Sequence, residues 1–94
     1  MRLPLMIYRV AERSMEPAIM EGSYVIVNCW PMSMRIGEVV IAMDPYGRII
    51  AKRIKKVNGS KLFLVGDNTR SSIDSRRFGW IGRERVLGKV IAVI

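Results

Sequence analysis

The sequence reads as an all-β domain, a small antiparallel sheet curled or closed toward a barrel. Short runs rich in Val, Ile, Leu and Phe alternate with strong turn signals, and no long segment keeps a helical period. The 94 residues suit a single domain, 1–94. A chain of this size buries roughly 65% of its unfolded surface, so short strands must curl to hide their edges.

Taken in order, Met1 to Val10 carries Arg2, Pro4 and Arg9, and is too short and interrupted for a membrane span or signal peptide. Ser14 precedes Pro17, where one short helical turn is expected to begin. Tyr24 to Val27 reads as a strand. Asp44-Pro45-Tyr46-Gly47 places Pro where a turn fixes φ and Gly where it closes, separating strands at Glu38 to Met43 and Arg48 to Val57. Asn58-Gly59, a strong hairpin signal, joins the latter to Lys61 to Val65. A long polar loop runs from Gly66 to Gly79, and Val86 to Ile94 is expected as a buried final strand.

Composition narrows the function. Apolar residues make up 50% and charged residues 26%, which excludes disorder. Sixteen Lys and Arg against eight Asp and Glu give +8, a balance suited to an anionic neighbour. The expected chain is soluble, cytoplasmic or membrane-peripheral. Histidine is absent, which excludes imidazole chemistry; with Cys29 the lone cysteine, no metal site, cofactor or internal disulfide is expected.

Three places concentrate chemistry. Ser14 lies in a loop at the start of a turn, where a serine commonly serves as a cap. Lys52 shares one strand face with Ile50 and Ile54, while Arg53 and Lys55 take the other. A lysine there either snorkels to water along its stem or sits desolvated. Desolvation disfavours the ammonium, and a neutral amine is a general base able to deprotonate a serine hydroxyl. The Gly66 to Gly79 loop crowds Ser72, Asp74, Ser75 and Arg76 together; an Asp–Arg pair would lock it, and a hydroxyl could orient an amine.

Ser14-Met15-x-Pro17, Lys52-Arg53, Gly66-Asp67-Asn68, Ser72-x-Asp74-Ser75-Arg76 and Phe78-Gly79, in that order, resemble the type I signal peptidase family. These are serine proteases with a Ser–Lys dyad. The resemblance implies Ser14 as nucleophile and Lys52 as general base, with Ser72 holding the amine by a hydrogen bond. Asp74 and Arg76 would form a supporting pair, and Gly66, Asp67 and Asn68 the turn beneath the site. The Ser14 N–H would hold the oxyanion, and Met15 would line the substrate pocket. Glu12 stands where many bacterial members place a hydroxyl donor, and it cannot donate when ionised. Without histidine, the Ser–His branch of the family is excluded. Typical members carry membrane anchors and an accessory β domain, so a minimal catalytic core without an anchor is expected.

The implied activity is endopeptidase cleavage of signal or leader peptides from precursor proteins, after small residues, on a peptide added as a strand. The expected partner is thus a peptide or preprotein, with peripheral contact to anionic membrane or an anchoring partner, and no nucleic acid. Two alternatives share features: a self-cleaving-repressor-type peptidase domain, and a non-enzymatic basic β module binding nucleic acid through Trp30, Trp80, Phe63 and Phe78. The oligomeric state is open.

Overall fold

A computed structural model describes residues 4–30 and 33–94. It holds a seven-stranded sheet, antiparallel at every pairing, in the order β1-β2-β7-β3-β4-β5-β6. The strands are β1 (Leu5–Arg9), β2 (Tyr24–Asn28), β3 (Val39–Met43), β4 (Ile49–Asn58), β5 (Lys61–Val65), β6 (Ile81–Gly82) and β7 (Val86–Val93). One short helix, α1 (Ser75–Phe78), and two single 3-10 turns complete the described elements. The sheet curls into a half-barrel, the all-β architecture expected from the sequence. Among the described residues, no helix is long and apolar enough to cross a membrane.

Local chemistry explains the turns. Asp44 is buried, and its Oδ1 accepts the backbone N–H groups of Tyr46 and Arg48, each at 2.9 Å, folding β3 back onto β4. Between β4 and β5, Asn58 pairs with Lys61 across a two-residue turn in which Gly59 takes φ +57°, a conformation glycine adopts without cost.

The central strands bury both faces. Ile41 of β3 and Ala51 of β4, paired across the ladder, join Val10, Met15, Ile19, Val25 and Val27 in one apolar cluster. Their neighbours point the other way: Val40, Ala42, Ile50 and Ile54 meet Leu62, Leu64 and Ile81 in a second. Lys52 pairs with Val40 and therefore enters the fold on the face of this second cluster.

Two local expectations change and one holds. β1 forms in the segment read only as too interrupted for a span; its charge falls at the end, at Arg9, so Leu5–Tyr8 is free to pair with β2. The single helical turn expected near Pro17 is present, closed by one α-type bond, Ile19 N–H to the Met15 carbonyl at 2.9 Å. The final strand is not buried throughout. β7 lies between β2 and β3, but Leu87, Ile91 and Val93 face outward, because only one face is covered at that end of the curl.

Candidate active site

Ser14 sits in the connection from β1 to β2. Val10 and Met15, both fully buried in the first apolar cluster, pin this connection on either side. Met15 is therefore core beneath the site, a correction to the pocket-lining role expected for it: an unbranched apolar side chain gains most by leaving water altogether. The Ser14 carbonyl accepts from the Asn68 N–H at 2.8 Å, and the Asn68 side-chain amide donates to the Arg13 carbonyl at 3.2 Å. Gly66 packs directly below. A Cβ there would lie 2.6 Å from the Ser14 carbonyl oxygen and collide with Ser72. Only glycine lets the two loops approach this closely. Asn68 thus holds the backbone of Arg13 and Ser14, and Gly66 lets the loops close.

Lys52 is completely buried, and its Nζ makes no hydrogen bond, with Ser14 or with any other described residue. Its nearest acidic atom is Glu12 Oε1 at 3.8 Å. Burial pushes the amine below the ordinary lysine range; the Glu12 and Asp74 carboxylates pull it back up, Arg48 pushes it down, and Asp44 raises it. Desolvation prevails. The snorkelling alternative is set aside by this burial.

The Ser72–Arg76 segment is organised by Asp74, which is also buried. Its Oδ2 accepts from the Gly66 N–H at 2.8 Å, from the Ser72 hydroxyl, and from Arg76 Nη2 at 2.6 Å. Oδ1 accepts from the Arg76 backbone N–H and Nε, both at 3.0 Å, which caps α1. Burial alone would raise the Asp74 pKa, but donors from Arg76, Ser72 and Gly66 outweigh it and hold the carboxyl well below the usual carboxylate range. Ser72 was expected to hold the lysine amine. Its hydroxyl donates to Asp74 instead, since an ionised carboxylate so close is the stronger acceptor. Arg76 also reaches the Gly66 carbonyl at 3.2 Å, closing a ring of contacts between this segment and the floor below Ser14.

Two supporting contacts go beyond the roles expected from the sequence. The Ser75 hydroxyl accepts the buried Leu64 N–H at 2.9 Å, extending the edge of β5 onto α1. Asp67 makes a bidentate pair with Arg53, at 2.9 and 2.7 Å, while Arg53 Nη1 holds the Gly37 carbonyl at 2.7 Å. That clamp fixes the loop after β5 to β4, the strand bearing Lys52. A depression of about 430 Å³ is lined by Tyr46, Arg48, Ile73 and Arg77. Three of the four aromatic rings weighed for nucleic-acid stacking pack on neighbours, Phe63 edge-on to Trp80 at 5.3 Å and Phe78 edge-on to Tyr46 at 6.3 Å, while Trp30 is exposed.

The fold therefore holds a buried serine hydroxyl fixed by its backbone, a desolvated amine and a carboxylate–guanidinium brace, drawn from three distant stretches of chain. A protein-family model described as Peptidase S24-like matches residues 3–91. The chain belongs to the Peptidase S24-like family. It is accordingly a Ser–Lys peptidase-like domain of the superfamily that joins self-cleaving repressors and signal peptidases. The match does not single out the type I signal peptidases, to which the motifs were likened. No curated protein matches the chain.

Proposed function

We propose that this Peptidase S24-like domain is a serine endopeptidase in which Ser14 is the nucleophile and Lys52 the general base. The observation that carries the reading is the wholly buried Lys52 amine without a hydrogen-bond partner. A structural lysine gains nothing from such a place, whereas desolvation is what lets an amine shed its proton and serve as a base.

The chemistry follows in balanced steps. Lys52 Nζ takes the Ser14 hydroxyl proton as the oxygen bonds to the scissile carbonyl carbon, and the Ser14 N–H steadies the developing oxyanion. The C–N bond then breaks, and the Lys52 ammonium returns the proton to the leaving amine. Water, deprotonated in turn by Lys52, bonds to the acyl carbon; the ester C–O bond to Ser14 breaks, and the Lys52 ammonium returns its proton to the Ser14 oxygen. Asp74 and Arg76 act as positioning residues that fix the floor beneath the nucleophile.

The substrate in this reading is an extended peptide of a precursor protein, cut after a small residue. The outer edge of β1 pairs with no described strand and leads straight into the Ser14 connection, which suits strand addition. With net charge +8, the domain suits docking beside anionic lipid, at ~1 kcal/mol per well-placed basic residue. The test incubates a model preprotein with the wild type, Ser14→Ala and Lys52→Ala. Cleavage by the wild type alone is expected; equal cleavage by all three overturns the assignment.

The family match also favours a second reading, self-cleavage in the manner of the repressors. Those cut an Ala-Gly or Cys-Gly bond, and neither dipeptide occurs in these 94 residues. A concentration-independent shortening of the chain itself, abolished in Ser14→Ala, would select it.

A further inference from the structure

We propose that Glu12 is a counter-ion brake: its carboxylate holds Lys52 in the charged, non-basic form in the resting protein and is displaced when a peptide enters. This rests on the reading of Lys52 as the base. Glu12 lies two residues before the nucleophile. Its Oε1 approaches Lys52 Nζ to 3.8 Å, and both atoms are buried without a hydrogen bond. The side chain as a whole is 37% exposed, so it reaches from the surface to an amine with no exposure of its own.

Two buried, oppositely charged atoms that stop short of a hydrogen bond attract one another but leave their hydrogen-bonding capacity unused. Such a pair favours the ammonium without locking it. A group with better geometry can replace the carboxylate at little cost, since Glu12 already borders water and is readily solvated on leaving.

The other charges facing Lys52 cannot play this part. Asp74, from the segment before α1, is held by Gly66, Ser72 and Arg76. Asp44, from the β3–β4 turn, is held by Tyr46 and by Arg48, whose Nε donates to it at 2.9 Å. Arg48 itself opposes the ammonium. Glu12 in turn faces Tyr8 of β1, whose hydroxyl bonds the Ile49 carbonyl at 3.4 Å and whose ionisation the carboxylate discourages. Among these groups, Glu12 Oε1 is the acidic oxygen next to Lys52 that no donor fixes.

An uncharged peptide segment seated over Ser14 would push Glu12 outward, exclude water and leave desolvation of Lys52 unopposed. The amine then releases its proton to solvent and becomes a base when a substrate is present. The device restricts general-base power to the occupied site, where the acyl donor is the bound peptide.

The decisive experiment follows the Lys52 ¹³Cε resonance against pH, assigned by its absence in Lys52→Met, in the wild type, Glu12→Gln and Glu12→Ser. Loss of the carboxylate is expected to lower the titration midpoint by about one pH unit or more, which is about tenfold more neutral amine at a fixed pH below both midpoints. The acid limb of the kcat/KM profile, which reports the free protein, should move the same way. An unchanged or raised midpoint in whichever variant folds overturns the proposal and leaves the peptidase reading intact. A lowered midpoint in a protein that cleaves nothing supports the counter-ion relation while removing the peptidase reading.

Discussion

Asp74→Asn isolates the brace under the nucleophile. The carboxylate serves donors on both oxygens, with the Gly66 N–H and Ser72 hydroxyl on Oδ2 and the Arg76 backbone N–H and Nε on Oδ1. An asparagine keeps one acceptor oxygen and turns an NH₂ toward the other set. Whichever way it sits, a buried donor loses its partner, at about 1–3 kcal/mol. The lost attraction to Arg76 adds little, because that side chain is 41% exposed and screened, about 0.5–1 kcal/mol. The expected destabilisation is thus about 2–4 kcal/mol, against a total of roughly 5–14 kcal/mol for a chain of this size. Urea denaturation at pH 7 measures it. A second series at falling pH checks the cause. The folded pKa of Asp74 is depressed, so its contribution is complete above the unfolded value of about 3.9 and fades as pH falls toward the folded value. The gap between wild type and variant should persist at pH 5 and narrow below about pH 3. A loss under about 1 kcal/mol, or a gap indifferent to pH, would refute the argument.

Further outcomes follow from the same geometry. Gly66→Ala forces a methyl group against the Ser14 carbonyl and Ser72; overpacking of about 1–3 kcal/mol is expected, with cleavage falling further than stability, and a variant matching wild type in both contradicts the contact. Arg53→Ala frees Asp67 and the Gly37 carbonyl, but the partly exposed pair limits the loss to about 1 kcal/mol in a urea melt; a loss several times larger would show a deeper role. The rate of cleavage should rise with pH, because the base is the neutral amine, and its midpoint should fall below the ordinary lysine value of about 10.4; a midpoint at or above it contradicts a desolvated Lys52.

Most of the sheet was legible because its signals are local. Asp44-Pro45-Tyr46-Gly47 and Asn58-Gly59 carry their turns in their own side chains, and β3, β4 and β5 follow from them. β1 was hidden by Arg2, Pro4 and Arg9, since its pairing depends on β2, about twenty residues away. β6 spans two residues and exists only as an edge on β5. Within the site, the strand alternation that put Lys52 beside Ile50 and Ile54 led directly to its burial. The Asp74–Arg76 contact was legible from their spacing, as both flank the cap of one short helix. What escaped was contact between distant segments. The meeting of Glu12 with Lys52 spans forty residues and depends on how the sheet curls. Ser72 went to Asp74 rather than the amine because its neighbour in sequence offered the better acceptor.

The account's central claim is that Ser14 becomes an acylated nucleophile only with the help of Lys52. An activated ester of a peptide ending in alanine, added to the protein at neutral pH, tests this by mass spectrometry of tryptic fragments. The prediction is an acyl adduct on Ser14 itself, located by sequencing within the tryptic fragment Ser14 to Arg35, which also holds Cys29; it is absent in Ser14→Ala and formed about 10²–10⁴-fold more slowly in Lys52→Met. Acylation of Lys52→Met at the wild-type rate, or an adduct on Cys29 instead of Ser14, would contradict it.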